Sequence, residues 1–464
     1  VNKEIIEQAL DEKRDAVVLY DEIDGDMETP VSLLAKSVCT KNMFLLESAK
    51  EDKTYSRYSF LSFSLNRPIT VKNRIPLFGE KSILKERNIG DFGGGYVGYL
   101  SYEAVELSGI LRNKLRKKTS NYGAFFRVER FIVYDNYTDR MYLALVFVPS
   151  NKMSVEANYE IAREKMGAFK SRFLRLRQSP PSENRKPSIV DSMFSKEEFM
   201  EKVGYVKHLI EEGEAIQVVI SNYMDVEGID PLSFYRALRR INPSPYMYFL
   251  KFGDFYIVGS SPEIHIRKRG RQATIKPIAG TKPKGKTEQE TELMKQKLVK
   301  DEKERAEHLM LVDLARNDLA RVCAPDSVKV EEFMKAEEYS HVIHLVSEVN
   351  GTLNPDVTPD RLLANTFPAG TLSGAPKVRA IEIIDEVEKQ ARGPYGGCVG
   401  YVGFDGNIDM AITIRTAIFT SGRARLQAGA GIVYDSDPES EYHETMNKLR
   451  ALLKAGGIDG SFDR

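Results

Sequence analysis

Thr366-Phe367-Pro368-Ala369-Gly370-Thr371-Leu372-Ser373-Gly374-Ala375-Pro376-Lys377, continuing as VRAIEIIDEVE to Glu388, is the stretch on which the reading of this chain turns. Gly370, Gly374 and Pro376 predict a turn that lets backbone come close to a ligand. Ile381, Ile384 and Val387 then recur at helical spacing with acids outward, which predicts a helix. A turn rich in Gly, Thr and Ser that opens a helix offers amide N–H groups and hydroxyls to an anion. Composition alone favours a plain loop before a packing helix; the order of the residues is more particular than that.

After this stretch, Cys398–Gly403, Met410–Phe419 and Arg425–Ala430 read as strands and Ser440–Ala455 as a closing helix. Before it, a charged helix is predicted from Thr287 to Ala320. Strands are predicted at Ala215–Ser221, Tyr246–Phe252, Phe255–Val258 and Ile264–Arg267. A helix capped by Ser195 runs to Glu212 and stops at Gly213. Residues 178–194, with SPPSENRKPS at their centre, read as a linker between a region at 1–177 and a catalytic region at 195–458. In the first region Val17–Tyr20 and Met43–Leu46 read as strands, and Pro30–Ala35 starts a helix. Phe131–Tyr134 and Met141–Val146 form a hairpin across DNYTDR, and 155–177 is a basic helix. Gly94-Gly95-Tyr96-Val97-Gly98-Tyr99 nearly repeats as Gly396-Gly397-Cys398-Val399-Gly400-Tyr401, a short trace of duplication. Many antiparallel strands with helices outside give an α+β class.

Lys+Arg and Asp+Glu are both 67 among 464 residues, so the net charge is zero and there is no basic footprint for nucleic acid. Cys39, Cys323 and Cys398 form no CxxC pair, which predicts a reducing cytoplasm and argues against a cysteine metal site. The opening VNKEIIEQALDEKRD reads as an amphipathic helix and not a signal peptide, and no apolar run is long enough to span a membrane.

Glu304 and Glu307 are three apart on one predicted helix, and Glu441 and Glu444 repeat that spacing on another. One such pair is usually a solvated face; two on different helices could hold Mg²⁺, which takes hard oxygen ligands. His344 lies in an apolar run, where a histidine most often holds a core hydrogen bond. Glu263 follows Gly259-Ser260-Ser261-Pro262 and so leaves a strand at a turn, where a capping acid is the plain reading. Tyr395, Arg415 and Lys448 would be ordinary surface residues, although Tyr395 and the planar fork of Arg415 could grip a carboxylate. Gly429 and Gly431 in QAGAG expose amides, and Gly280 and Thr281 in KPIAGT make another tight turn.

The string Pro368–Lys377 resembles the PAGTLSGAPK signature of the chorismate-utilising enzymes. From about Leu45 to about Leu453 the chain is similar to the anthranilate synthase large-subunit branch. The resemblance implies largely antiparallel β-sheets packed as a sandwich with helices outside, in two interlocked halves. It implies Mg²⁺ on Glu307 and Glu444 with Glu304 and Glu441 in the outer shell, and Glu263 as the acid that protonates the leaving ring hydroxyl. His344 (in preference to His341) and Thr371 would line the site, and Gly280, Thr281, Tyr395, Arg415, Gly429, Gly431 and Lys448 would contact chorismate. Relatives that add water have a lysine base where this chain has Gln217, and para-aminobenzoate synthases usually have a lysine nucleophile where it has Ala279. The implied reaction therefore takes chorismate and ammonia to anthranilate and pyruvate, the first step of tryptophan biosynthesis. None of the three cysteines sits in a Gly-rich elbow, so glutamine would be used through a separate amidotransferase subunit. Leu45-Leu46-Glu47-Ser48 and Asn242-Pro243-Ser244-Pro245-Tyr246-Met247 resemble the two elements that bind L-tryptophan in feedback-regulated members. Glu47 and Ser48 can pair with an ammonium, and Pro245, Tyr246 and Met247 can wall an indole. The alternatives are a para-aminobenzoate synthase large subunit and, from another class, a non-catalytic tryptophan-binding regulatory subunit.

Overall fold

Alternate residues of a strand face opposite sides of its sheet, and here both sides are buried. The computed structural model describes residues 1–48, 57–111, 114–178, 186–338 and 342–458. In β1 (Ala16–Asp24), Val17 and Leu19 join one apolar layer while Ala16, Val18 and Tyr20 join another, which is why AVVLY reads as an unbroken apolar run. The first half continues with β2 (Asn42–Glu47), β3 (Tyr58–Phe63), β4 (Ile69–Val71), β5 (Ile83–Lys85), β6 (Gly95–Leu100), β7 (Gly123–Val128), β8 (Arg130–Asp135) and β9 (Arg140–Phe147). Its helices are α1 (Lys3–Asp11), α2 (Pro30–Ser37) and α3 (Val155–Leu174).

The second half runs β10 (Ser188–Ser192), α4 (Lys196–Glu211), β11 (Gln217–Glu227), α5 (Pro231–Ile241), β12 (Tyr246–Phe252), β13 (Phe255–Ser261), β14 (Ile264–Arg269), β15 (Gln272–Ile275) and β16 (Ile278–Pro283). Then come α6 (Glu288–Lys300), α7 (Glu302–Ala320), β17 (Lys329–Glu338), β18 (Val342–Thr352), α8 (Pro359–Thr366), β19 (Gly374–Ala375) and α9 (Lys377–Val387). The chain closes with β20 (Cys398–Gly403), β21 (Ile408–Ile412), β22 (Thr416–Thr420), β23 (Arg423–Ile432) and α10 (Pro438–Ala455).

Two sheets result. One has the order β10-β11-β23-β22-β13-β12-β2-β3-β8-β9-β1-β5, with β19 also on β11; the other has β16-β18-β15-β14-β21-β20-β6-β7-β4, with β17 also on β18. Read from its centre, the first sheet gives β2-β3-β8-β9-β1 in one direction and β12-β13-β22-β23-β11 in the other, so the halves repeat one topology about a local two-fold. The central pair places Leu45 opposite Phe249. In the second sheet β6-β7-β4 mirrors β20-β21-β14, with Gly98 opposite Gly400. The GGYVGY echo is therefore the pair of strands at the axis. A Cβ on Gly98 would sit 2.0 Å from the Ala124 carbonyl, and one on Gly400 2.1 Å from that of Asp409, so neither strand tolerates a side chain there.

Phe44, Tyr99, Phe126, Tyr248, Leu250 and Tyr401 fill the space between the sheets. Ile6, Leu33, Phe169, Leu238 and Leu449 close helices over the outer face of the first sheet, so the sandwich has helices outside as the resemblance implies. Strands from both sides of residues 178–194 share both sheets, and inside that stretch Ser188–Ser192 pairs with β11. The single helix expected over 287–320 is two: Asp301 leaves helical geometry at ψ 111° and its carboxylate accepts from the Glu304 amide at 3.3 Å, so it ends one helix and caps the next. The strand expected over 410–419 is likewise two, because Arg415 adopts φ +50° between β21 and β22. Among the described residues no helix is long and apolar enough to cross a membrane.

Candidate active site

The 366–377 segment is clamped, not open. Gly370–Leu372 forms one 3-10 turn, in which the amides of Leu372 and Ser373 donate to Ala369 and Gly370 at 3.1 Å; these amides are used internally and not offered to an anion. Gly374, at φ +135°, pairs with Val218 of β11, and a Cβ there would lie 2.1 Å from the Gln217 carbonyl. At the start of α9 the buried Lys377 ammonium donates to both Asp318 oxygens at 2.8 and 2.7 Å and to the Pro368 carbonyl at 2.8 Å, pinning the loop to α7.

This clamp sets Thr371 against Glu263. Glu263 is 7% exposed, and burial pushes its carboxyl up to about 8, against the smaller opposing pulls of the Thr371 hydroxyl, the Arg415 charge and the Ile278 amide. The Thr371 hydroxyl faces the carboxyl without a well-formed hydrogen bond, its oxygen buried and unpartnered among the described residues. Burial thus favours the protonated form of Glu263.

The acidic helix faces meet. Glu307 is pushed up by burial and then by the charge of Glu444, and Gln217 Nε2 donates to its Oε1 at 3.2 Å. Glu304 is pushed up by burial and by Glu307, and Glu441 by burial and by Glu444. Lys448 donates to Glu444 Oε1 at 2.8 Å and to the Gly429 carbonyl at 2.9 Å. The carboxylates of α7 and α10 are thus coupled in pairs, Glu304 to Glu307, Glu307 to Glu444 and Glu444 to Glu441, and carboxylate oxygens are the ligand type a hard divalent cation takes. No group of three or more His, Cys, Asp or Glu is gathered closely enough to hold a metal ion among the described residues.

Several other predicted residues make short contacts with these elements. The His344 Nδ1 donates to the Gly280 carbonyl at 2.9 Å, which fixes the orientation of the ring. Gly280 has φ +65°, and a Cβ there would approach Glu304 Oε2 at 2.9 Å. A Cβ on Gly429 would lie 3.1 Å from the Tyr395 hydroxyl, and one on Gly431 2.6 Å from Gln217 Nε2. Tyr395 itself is buried, with its phenol held protonated by desolvation. Only the backbone of Thr281 is described, within β16, and His341 lies outside the described residues.

A second cavity, of about 990 Å³, lies where the two halves meet. Leu46, Glu47, Ser48, Pro245, Tyr246 and Met247 line it; Asn242, Pro243 and Ser244 do not. Arg239 of α5 pairs with Glu47 Oε1, while Glu47 Oε2 and the Ser48 hydroxyl are buried without partners among the described residues. Arg239 went unread in the sequence, where it is one of two arginines ending an amphipathic helix. Lys377 and Asp318 were also missed, because their partnership spans the chain between two helices.

Residues 41–454 match the chorismate binding enzyme family, and the chain belongs to it. Within that family it is 40% identical to anthranilate synthase component 1 of Aquifex aeolicus, with 96% of each chain covered. It is 41% identical to that of Saccharolobus solfataricus, with 89% of this chain and 93% of the relative covered. The crystal structure of anthranilate synthase component I from Streptococcus pneumoniae superposes with a TM-score of 0.73 at 33% identity, covering 86% of this chain and 93% of that one.

Proposed function

We propose that this chain converts chorismate and ammonia to anthranilate, pyruvate and water, as a cytoplasmic enzyme. The observation that carries the reading is the buried Glu263 carboxyl, held protonated beside Thr371 and Arg415. Ammonia adds at C2 as the C4 hydroxyl takes the Glu263 proton and leaves as water. Loss of the C2 proton and of the enolpyruvyl group as pyruvate then gives the aromatic ring. Arg415 and Tyr395 orient substrate oxygen atoms, and His344 lines the site. Glu307 and Glu444 would hold Mg²⁺ with Glu304 and Glu441 behind, and a bound ion would supply positive charge to a substrate carboxylate. Ala279 offers no nucleophile, so ammonia itself attacks, which favours the ortho product over the para one.

The ammonia source is free ammonium or a separate amidotransferase subunit. Cys323 and Cys398 are buried with their thiols pushed up, and Cys39 is exposed outside any Gly-rich elbow. The cavity at Glu47 and Ser48 takes L-tryptophan as an inhibitor: the unpartnered Glu47 oxygen and Ser48 hydroxyl suit its ammonium, and Pro245, Tyr246 and Met247 suit its indole. Incubation with chorismate, Mg²⁺ and an ammonium salt tests the reaction. Ortho-aminobenzoate with equimolar pyruvate is expected, and accumulation of 4-amino-4-deoxychorismate overturns it.

A further inference from the structure

Behind the site lies a charged pair that touches no predicted substrate residue through a side-chain hydrogen bond yet joins the elements that carry them. The Arg392 side chain is 1% exposed and the Glu388 side chain 2%. Arg392 Nε and Nη2 donate to the two Glu388 oxygens at 3.0 and 2.6 Å. Nη2 donates also to the Val219 carbonyl at 2.7 Å, and Nη1 to the Leu372 carbonyl at 2.6 Å. Leu372 adjoins Thr371, and Val219 lies two residues from Gln217 on β11.

Glu388 extends the tie further. Its Oε1 accepts from the Ser221 amide at 2.9 Å and the Ser221 hydroxyl at 2.7 Å, and that hydroxyl accepts from Gln427 Nε2 at 2.8 Å, two residues before Gly429. The guanidinium lies 4.5 Å from the Tyr102 ring centroid and 5.8 Å from that of Tyr395. From the first half of the chain, the buried Glu103 carboxyl accepts from the Arg392 amide at 2.7 Å and from the Gly393 amide, fixing the bend that leads to Tyr395.

We propose that Arg392 is a positioning residue for the reaction: its planar fork sets the Thr371 turn, β11 and the Tyr395 ring relative to one another. A fold-stabilising pair would need only Glu388. Arg392 gives its other donors to two carbonyls that belong to the two walls of the site, and it lies close to both the Tyr102 ring and the Tyr395 ring of the site. A lysine has neither the fork nor the flat face to replace it. The proposal rests on the site assignment made above for Glu263, Thr371 and Tyr395.

The test uses the intact chain with chorismate, Mg²⁺ and ammonium. Arg392→Lys is expected to unfold cooperatively and bind chorismate with KM within a few-fold of wild type, while kcat falls about a hundredfold, the effect of misplacing reacting groups by about an ångström. Arg392→Ala, if folded, should regain activity with millimolar guanidinium but not with tetramethylammonium at equal ionic strength. Should both variants fail to fold, Ser221→Ala, which removes one donor from Glu388, should lower kcat several-fold at unchanged folded content. A folded Arg392→Lys enzyme with wild-type kcat, or a loss that tracks only the folded fraction, overturns the proposal. Glu263→Gln measured alongside separates the two readings: if it keeps full activity the site assignment fails, whereas its loss together with an unaffected Arg392→Lys sinks only the positioning role.

Discussion

The Arg415 guanidinium donates to the Asn242 carboxamide at 3.4 Å, and Ser260 ties the two backbones by donating its amide to the Arg415 carbonyl and its hydroxyl to that of Asn242. Asn242 ends α5 three residues before the wall of the cavity between the halves, and Arg415 acts on the charge of Glu263. Arg415 holds φ +50°, a conformation that costs of order 1–3 kcal/mol for a non-glycine residue and persists only where surroundings enforce it. Asn242→Ala removes the acceptor. It should lower kcat/KM for chorismate about tenfold, from a hydrogen bond worth roughly 1–1.5 kcal/mol, without changing the fold. Steady-state kinetics with circular dichroism would check this, and unchanged kcat/KM would show the contact to be incidental.

Glu263 sets an alkaline limit. A general acid must be protonated, so kcat should decline as pH rises through about 8, where its carboxyl titrates. Glu263→Gln cannot donate the proton and should lose most activity at every pH. The same shift has a stability consequence. The folded-state value lies above the ordinary 4.5, so folding favours the protonated form; the stabilisation is complete below 4.5 and is lost as pH rises through 8. Thermal unfolding at pH 9 should therefore find Glu263→Gln more stable than wild type, and at pH 4 the two should converge.

The crowded carboxylates predict a trade of function against stability. Glu307→Gln should abolish turnover by removing a hard anionic ligand, and should also raise the melting temperature measured in chelator, because burial and the Glu444 charge both oppose ionised Glu307. Added Mg²⁺ should stabilise wild type and leave the variant unmoved. A Glu307→Gln enzyme active at low Mg²⁺ would place the metal elsewhere.

How far the chain could be read depended on whether a constraint was local. The hairpin at Phe131–Val146 was legible because strand period and turn residues sit side by side. The duplication surfaced only as GGYVGY, since Gly98 and Gly400 are where strands pass too close for any side chain; elsewhere the halves need only apolar residues, which drift freely. The break at Asp301 has no Gly or Pro to announce it, although aspartate three residues before Glu304 is a capping pattern. Glu388 and Arg392 have the i, i+4 spacing of an ordinary surface pair, and only the packing of β11, the 370–375 turn and the first half's Tyr102 over them makes them a buried tie. Spacing singled out the two ExxE pairs and the turn singled out Glu263, but their roles came only from the family resemblance; spacing alone could not say that α7 and α10 would face each other.

Ser48 tests feedback. Glu47 ends β2 and Ser48 follows it, and Met247 on β12 stands directly opposite Glu47, so a ligand here would bridge the central strands of the two halves. It can shift the active site only through different affinity for two conformations; a hundredfold preference for the less active one corresponds to roughly 2.7 kcal/mol of coupling. Arg239 already occupies one Glu47 oxygen, so the ligand's ammonium would take the other together with the Ser48 hydroxyl. Ser48→Ala removes one hydrogen bond and should weaken L-tryptophan inhibition about tenfold. Activity without tryptophan should stay at the wild-type level, since Ser48 is assigned no catalytic role. The chain contains no tryptophan, so indole emission from bound ligand can be titrated directly. No binding by that titration, or purely competitive inhibition indifferent to Ser48→Ala, would leave this cavity without a regulatory role and the Asn242–Arg415 contact as a purely catalytic support.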